Sequence, residues 1–169
     1  LAIAIQNLAW GFGQPLFSII AEKYGDRKAI ALGALTYALG LVLSRFAITP
    51  ESHQVLGILI GFGIAGTGFG VILAVVGRTS SPENRSLALG IATSAGSAGQ
   101  IVGPPIANIL LNNMPWTQVF LIFAAAILTV FIVLPQIKTN LPAKKNLQDE
   151  QLGNVLKKAF YDPSYTMLF

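Results

Sequence analysis

Cysteine is absent from the 169 residues, which excludes a disulfide framework and any thiolate metal site. Histidine occurs once, at His53, so no cluster of imidazoles can hold a metal either. Charge is scarce as well. Charged residues make up 11% of the chain, against about 25% in a soluble domain, too few to cover a water-facing surface. The scarcity is also bunched. No Asp, Glu, His, Lys or Arg occurs from Leu1 to Ala21, from Ala29 to Ser44, from Gln54 to Gly77, or from Ser86 to Ile137. Apolar stretches of roughly 20 residues match the ~30 Å hydrocarbon core of a bilayer. The chain therefore reads as an all-α integral membrane protein.

Hydrophobic residues, at 53% of the chain, fall into five predicted spans: Leu1–Ile20, Ala29–Ile48, Gln54–Gly77, Ser86–Leu111 and Trp116–Pro135. Helices follow from length, since barrel strands need only ~10 alternating residues. A helix also satisfies every backbone N–H within its own span, as lipid requires. The connections alternate in positive charge. The first holds Lys23, Arg27 and Lys28, the second only Arg45, and the third Arg78 and Arg85. The fourth, Asn112–Pro115, has no base, and after the fifth span come Lys138, Lys144, Lys145, Lys157 and Lys158. Short loops rich in Lys and Arg stay in the cytoplasm, so the first, third and fifth connections are expected there. The net charge of +4 thus records membrane orientation, and no nucleic-acid partner, cofactor or metal is expected.

Three segments follow from this reading: a transmembrane bundle over 1–135, a cytoplasmic loop over 136–162, and the start of a second bundle over 163–169. Within the loop Leu152, Val155, Leu156, Ala159 and Phe160 recur at helical spacing, an amphipathic pattern. It suits either a helix lying on anionic lipid or a linker helix packing on its own bundle. Leu1 is not an initiator Met and the closing Ser164–Phe169 begins another apolar run. The expectation is a piece of a longer, multi-pass protein of the plasma membrane or bacterial inner membrane.

Two stretches carry more than hydropathy. Ser18–Lys28 ends the first span in a tight turn, where Gly25 permits the reversal and Glu22 and Asp26 can pair with Lys23, Arg27 or Lys28. In the fourth span, Gly96, Gly99 and Gly103 share one face, open to close approach by a neighbouring helix. Pro104 and Pro105 free the carbonyls near Gln100 and Ile101 and are expected to bend the span. The turn, with Glu22, Lys23, Gly25, Arg27 and Lys28 in register and Ser18 in place of a Gly, resembles the signature loop of the major facilitator superfamily. Gly90, Gly99, Gly103 and Pro104 are similar to that family's fifth-helix motif, with Ala107 and Asn108 replacing its terminal glycines. Pro82–Gly90 resembles the approach to the same helix. The resemblance covers helices two to six, the central loop and the beginning of helix seven. It implies a major-facilitator-type bundle fragment and a conformational-gate role for Glu22, Lys23, Gly25, Asp26, Arg27 and Lys28. It also implies bending and packing at Gly90, Gly99, Gly103 and Pro104. Ala159–Phe169 and the fifth helix are similar to the branch handling monocarboxylates and related organic acids. The expected function is secondary active transport of a monocarboxylate or related organic anion by rocking alternating access, by a carrier that is monomeric when complete. The alternative is a facilitator or exporter of another small solute such as a sugar or drug.

Carriers of this kind bind substrate near the midplane, so cavity groups must be polar and mid-span. Asn7, Trp10 and Gln14 share one face of the first span, with Gln6 beside them. Thr93, Ser97 and Gln100 form a face of the fourth, about a quarter turn from its glycines. These two faces are the candidate substrate cavity; the alternative for each is interhelical hydrogen bonding. The glycines between Gly57 and Gly70 are expected to serve packing. Apart from Arg45 at the end of the second, no Asp, Glu, His, Lys or Arg lies inside any span to mark a proton pathway. A coupling proton is therefore carried elsewhere, or a counter-substrate replaces it. A channel or structural subunit would not need the charged turn in register with the Gly-Pro span. A membrane enzyme would need a base beside a nucleophile, which the spans lack.

Overall fold

A computed structural model describes residues 1–137; the amphipathic segment and the second-bundle start expected above lie outside the described residues. The chain forms helices α1 (Ala2–Tyr24), α2 (Asp26–Ser44), α3 (Pro50–Thr67), α4 (Phe69–Thr79), α5 (Arg85–Asn113), α6 (Trp116–Leu128) and α7 (Val130–Val133), ending in a 3₁₀ turn, Leu134–Gln136. The five spans are all helical. Two of them are interrupted: the third at Gly68, between α3 and α4, and the fifth at Thr129, between α6 and α7. Asp26–Ser44, Pro50–Thr79 and Trp116–Gln136 are long and apolar enough to cross a membrane by length and composition. α1 and α5 fall outside that set because Gln6, Asn7 and Gln14 on one, and Thr93, Ser94, Ser97, Gln100 and Asn108 on the other, dilute their apolar surface.

Local chemistry sets the boundaries. Gly25 both ends α1 and opens α2, with φ 95° and ψ 150°, a region that residues with a Cβ avoid. Its N–H donates to the Ala21 carbonyl at 2.9 Å. Asp26 begins α2, where a carboxylate favours the helix N-terminus. Thr49 caps α3: its Oγ1 accepts from the Ser52 N–H at 3.3 Å, and the Thr49 N–H donates to the Ser52 hydroxyl at 3.2 Å. Pro50 at the first helical position suits that start.

α3 lies at the centre, packed against both α1 and α2. Its glycines make this possible. Gly57 and Gly61 face α1, while Gly63 and Gly66 face α2, as the packing expectation for this stretch holds. The approach is close where α2 crosses: a Cβ on Gly33 would stand 2.6 Å from the Gly66 Cα. Phe17, Ala21, Ala29, Ile30, Ala65, Val71, Val75 and Leu134 form the main buried cluster. A smaller one joins Ala38 and Leu41 of α2 to Ala124 of α6. At the opposite end the His53 ring tilts against Trp116 at 6.1 Å, and Trp116 meets Phe120 edge-on. α5 packs mainly on α4, touches α6, and has no fully buried residue.

Candidate functional site

Two places concentrate polar groups in this apolar bundle. The first is the turn at Gly25. Asp26 is buried at 5% exposure and accepts a charge-assisted hydrogen bond from Arg78 Nη2, at the last turn of α4. The expected pairing of Glu22 or Asp26 with Lys23, Arg27 or Lys28 is therefore corrected. Neighbouring positions on a helix point in different directions. Asp26 turns into the bundle toward α4, while Arg27 turns toward the end of the fifth span. Arg27 Nε donates to the Ile137 carbonyl at 2.5 Å and its Nη2 to the Pro135 carbonyl at 2.9 Å. A guanidinium fork suits two backbone carbonyls close together at the end of a helical segment. Glu22, Lys23 and Lys28 are exposed, with Lys23 Nζ 5.4 Å from the Tyr24 ring centre. The turn thus gathers the ends of α1, α2, α4 and the fifth span.

The second place is the break at Gly68, whose backbone is extended with φ −80° and ψ 179°. α4 runs 11 residues from there to Thr79, about 16 Å at 1.5 Å per residue, which is about half of the ~30 Å hydrocarbon core. Non-helical backbone at that depth persists only where protein covers it or a polar cavity borders it. Trp10 and Gln14 of α1 are half-buried beside the break. The position of an absent Gly68 Cβ is 3.4 Å from Trp10 Nε1, and that of an absent Gly70 Cβ is 3.1 Å from Gln14 Oε1. Trp10 Nε1 is enclosed and, among the described residues, has no hydrogen-bond partner. On the other side of the break, Thr67, Gly68, Phe69 and Ile72 face Ala92, Ala95 and Gly96 of α5 across a cavity of about 400 Å³.

The two polar faces expected from sequence are therefore placed on either side of α4, which touches both α1 and α5. Trp10 and Gln14 adjoin the break, while Asn7 is exposed. On α5, Thr93 is exposed and donates to the Leu89 carbonyl at 2.9 Å. Ser97 and Gln100 are exposed, and the cavity wall is made instead by Ala92, Ala95 and Gly96. The Phe69 ring fills the notch at Gly96. A Cβ at Gly90, Gly99 or Gly103 would meet nothing within 4 Å among the described residues, and α5 stays helical through Pro104 and Pro105. Sequence reasoning missed the break, Arg78 and the carbonyls that Arg27 holds. Gly68 lies in an unbroken apolar run, so hydropathy gave no signal there. Arg78 had one: it is a base at the end of a span on the side assigned to Asp26.

Comparison with known proteins agrees with this architecture. Residues 1–169 match the sequence profile of the Major Facilitator Superfamily. Monocarboxylate transporter 13 of Bos taurus is 35% identical over 127 residues, 74% of this chain and 28% of that protein. Monocarboxylate transporter 12-B of Danio rerio is 33% identical over 119 residues, 70% of this chain and 24% of that protein. Monocarboxylate transporter 12 of Homo sapiens is 30% identical over the same length, 70% of this chain and 23% of that protein. The chain spans about a quarter of the length of these relatives. No solved structure matches it. With its all-helical membrane bundle and its match along the whole length, the chain belongs to the Major Facilitator Superfamily.

Proposed function

We propose that the chain is part of a secondary active carrier that moves a small monocarboxylate or related organic anion by rocking alternating access. The observation that carries this reading is the break at Gly68. Discontinuous helices near the midplane are where transporters of several folds hold their substrates. Here the break borders a cavity of about 400 Å³ and adjoins the polar side chains of Trp10 and Gln14. The substrate class is supported by the names of the relatives, which are monocarboxylate transporters. In this reading residues 1–135 belong to the first transmembrane bundle of such a carrier. The Gly25 turn works as a conformational gate. The open face at Gly90, Gly99 and Gly103, with the bend-prone Pro104, supports a surface on α5 that repacks during the cycle.

The test is uptake of labelled short monocarboxylates by the full-length protein in proteoliposomes. It is run with and without an inward proton gradient, and with unlabelled substrate inside. Saturable uptake driven by the gradient identifies a proton-coupled carrier. Acceleration only by internal substrate identifies an exchanger. No uptake of any carboxylate overturns the substrate class.

A further inference from the structure

The side chain of Trp10 is the one feature of the break that its packing does not explain. An indole Nε1–H is a donor only, with no acceptor capacity of its own. In hydrocarbon such a group is unfavourable unless it finds an acceptor. Among the described residues Trp10 Nε1 is enclosed and has none. It lies against Gly68, the residue at which the third span is interrupted, and Gly68 also lines the α4–α5 cavity. One residue without a side chain therefore separates an unpartnered donor from the cavity.

We infer that Trp10 is a specificity-determining residue of the substrate site: movement at Gly68 opens its Nε1–H to the cavity, where it donates to an oxygen of the bound carboxylate. This rests on the carrier reading above. The enclosed conformation leaves the donor unpartnered, and the opened one satisfies it only when an acceptor is present. The ligand thus has a differential affinity for the two conformations, which is what shifts their populations. A donor at that position binds a charged carboxylate oxygen more strongly than the neutral carbonyl of an amide. No Lys or Arg lies in the apolar runs 1–21, 29–44, 54–77 or 86–137 to do the same by charge.

The test compares a monocarboxylate with its primary amide in the full-length carrier, reading uptake of the labelled acid and competition by the amide. Trp10→Phe keeps an aromatic ring and removes the donor. Its KM for the acid is expected to rise about tenfold or more, the loss typical of a hydrogen bond to a charged group, with competition by the amide weakened less. Gly68→Ala is the second variant and leaves Trp10 intact. Its Cβ lies 3.4 Å from Trp10 Nε1 and 2.7 Å from the Ile64 carbonyl oxygen, so it screens the donor and narrows the acid-over-amide preference in the same direction. If Trp10→Phe does not reach the membrane, Gly68→Ala decides alone. A preference that stays unchanged while uptake persists overturns the role of Trp10 and leaves the carrier reading standing. An unaltered carrier that takes up no carboxylate overturns both.

Discussion

Asp26 and Arg78, 52 positions apart, join the first turn of α2 to the last turn of α4. The two partners are unequally placed: the Asp26 side chain is 6% exposed and that of Arg78 is 43% exposed. That inequality makes the pair directional. Arg78→Gln strands a buried carboxylate and is expected to cost ~2–4 kcal/mol, approaching the loss for breaking a buried pair. Asp26→Asn frees an arginine that water can solvate, and should cost only ~1–2 kcal/mol. Thermal melts of the two variants in one detergent check the order. Equal losses would show that the carboxylate is not shielded.

Arg27 holds two backbone carbonyls at once, which a lysine cannot match with the same planar fork. Arg27→Lys is expected to weaken the end of the fifth span by ~1–2 kcal/mol, the net worth of one or two hydrogen bonds. Amide hydrogen exchange over 130–137 reads this directly. It should quicken there and stay unchanged in α3.

Glycines separate cleanly into closed and open positions. Gly33→Ala drives a methyl group into the Gly66 backbone and is expected to cost at least ~1–3 kcal/mol through overpacking. Gly99→Ala meets nothing among the described residues, and should be neutral or stabilising by up to ~1 kcal/mol through helix propensity. Melting temperatures of the two variants of this chain, moving in opposite directions, would bear this out.

Orientation predicts labelling. A tag at Asn113, in the connection without a base, should be reached from outside intact cells. One at Ser81, between Arg78 and Arg85, should not. Reversed accessibility would overturn the assignment of the cytoplasmic side.

The helical spans were legible because their signal is an absence: charge disappears where lipid begins, and Leu1–Ala21 or Ser86–Ile137 show it without help from tertiary structure. The turn at Gly25 was legible for a related reason, since a positive φ demands a particular residue and leaves it visible. Trp10 and Gln14 could be found as polar residues on an apolar helix. The break at Gly68 could not, because its neighbours Thr67 and Phe69 keep the span apolar enough to read through. The choice of Arg78 for Asp26 lies between residues far apart in sequence, and helical periodicity carries no information about such partners. On α5 the polar face was read correctly as polar, yet the cavity wall came from its small residues, Ala92, Ala95 and Gly96.

Gly25 is the whole connection between Tyr24 and Asp26. A linker of one residue stores no slack, so the ends of α1 and α2 stay side by side there. Asp26 and Arg27, the first residues beyond that single linker, hold the ends of α4 and the fifth span. The ends of four helical segments thus meet at two adjacent side chains beside one glycine, a single knot in place of four separate anchors.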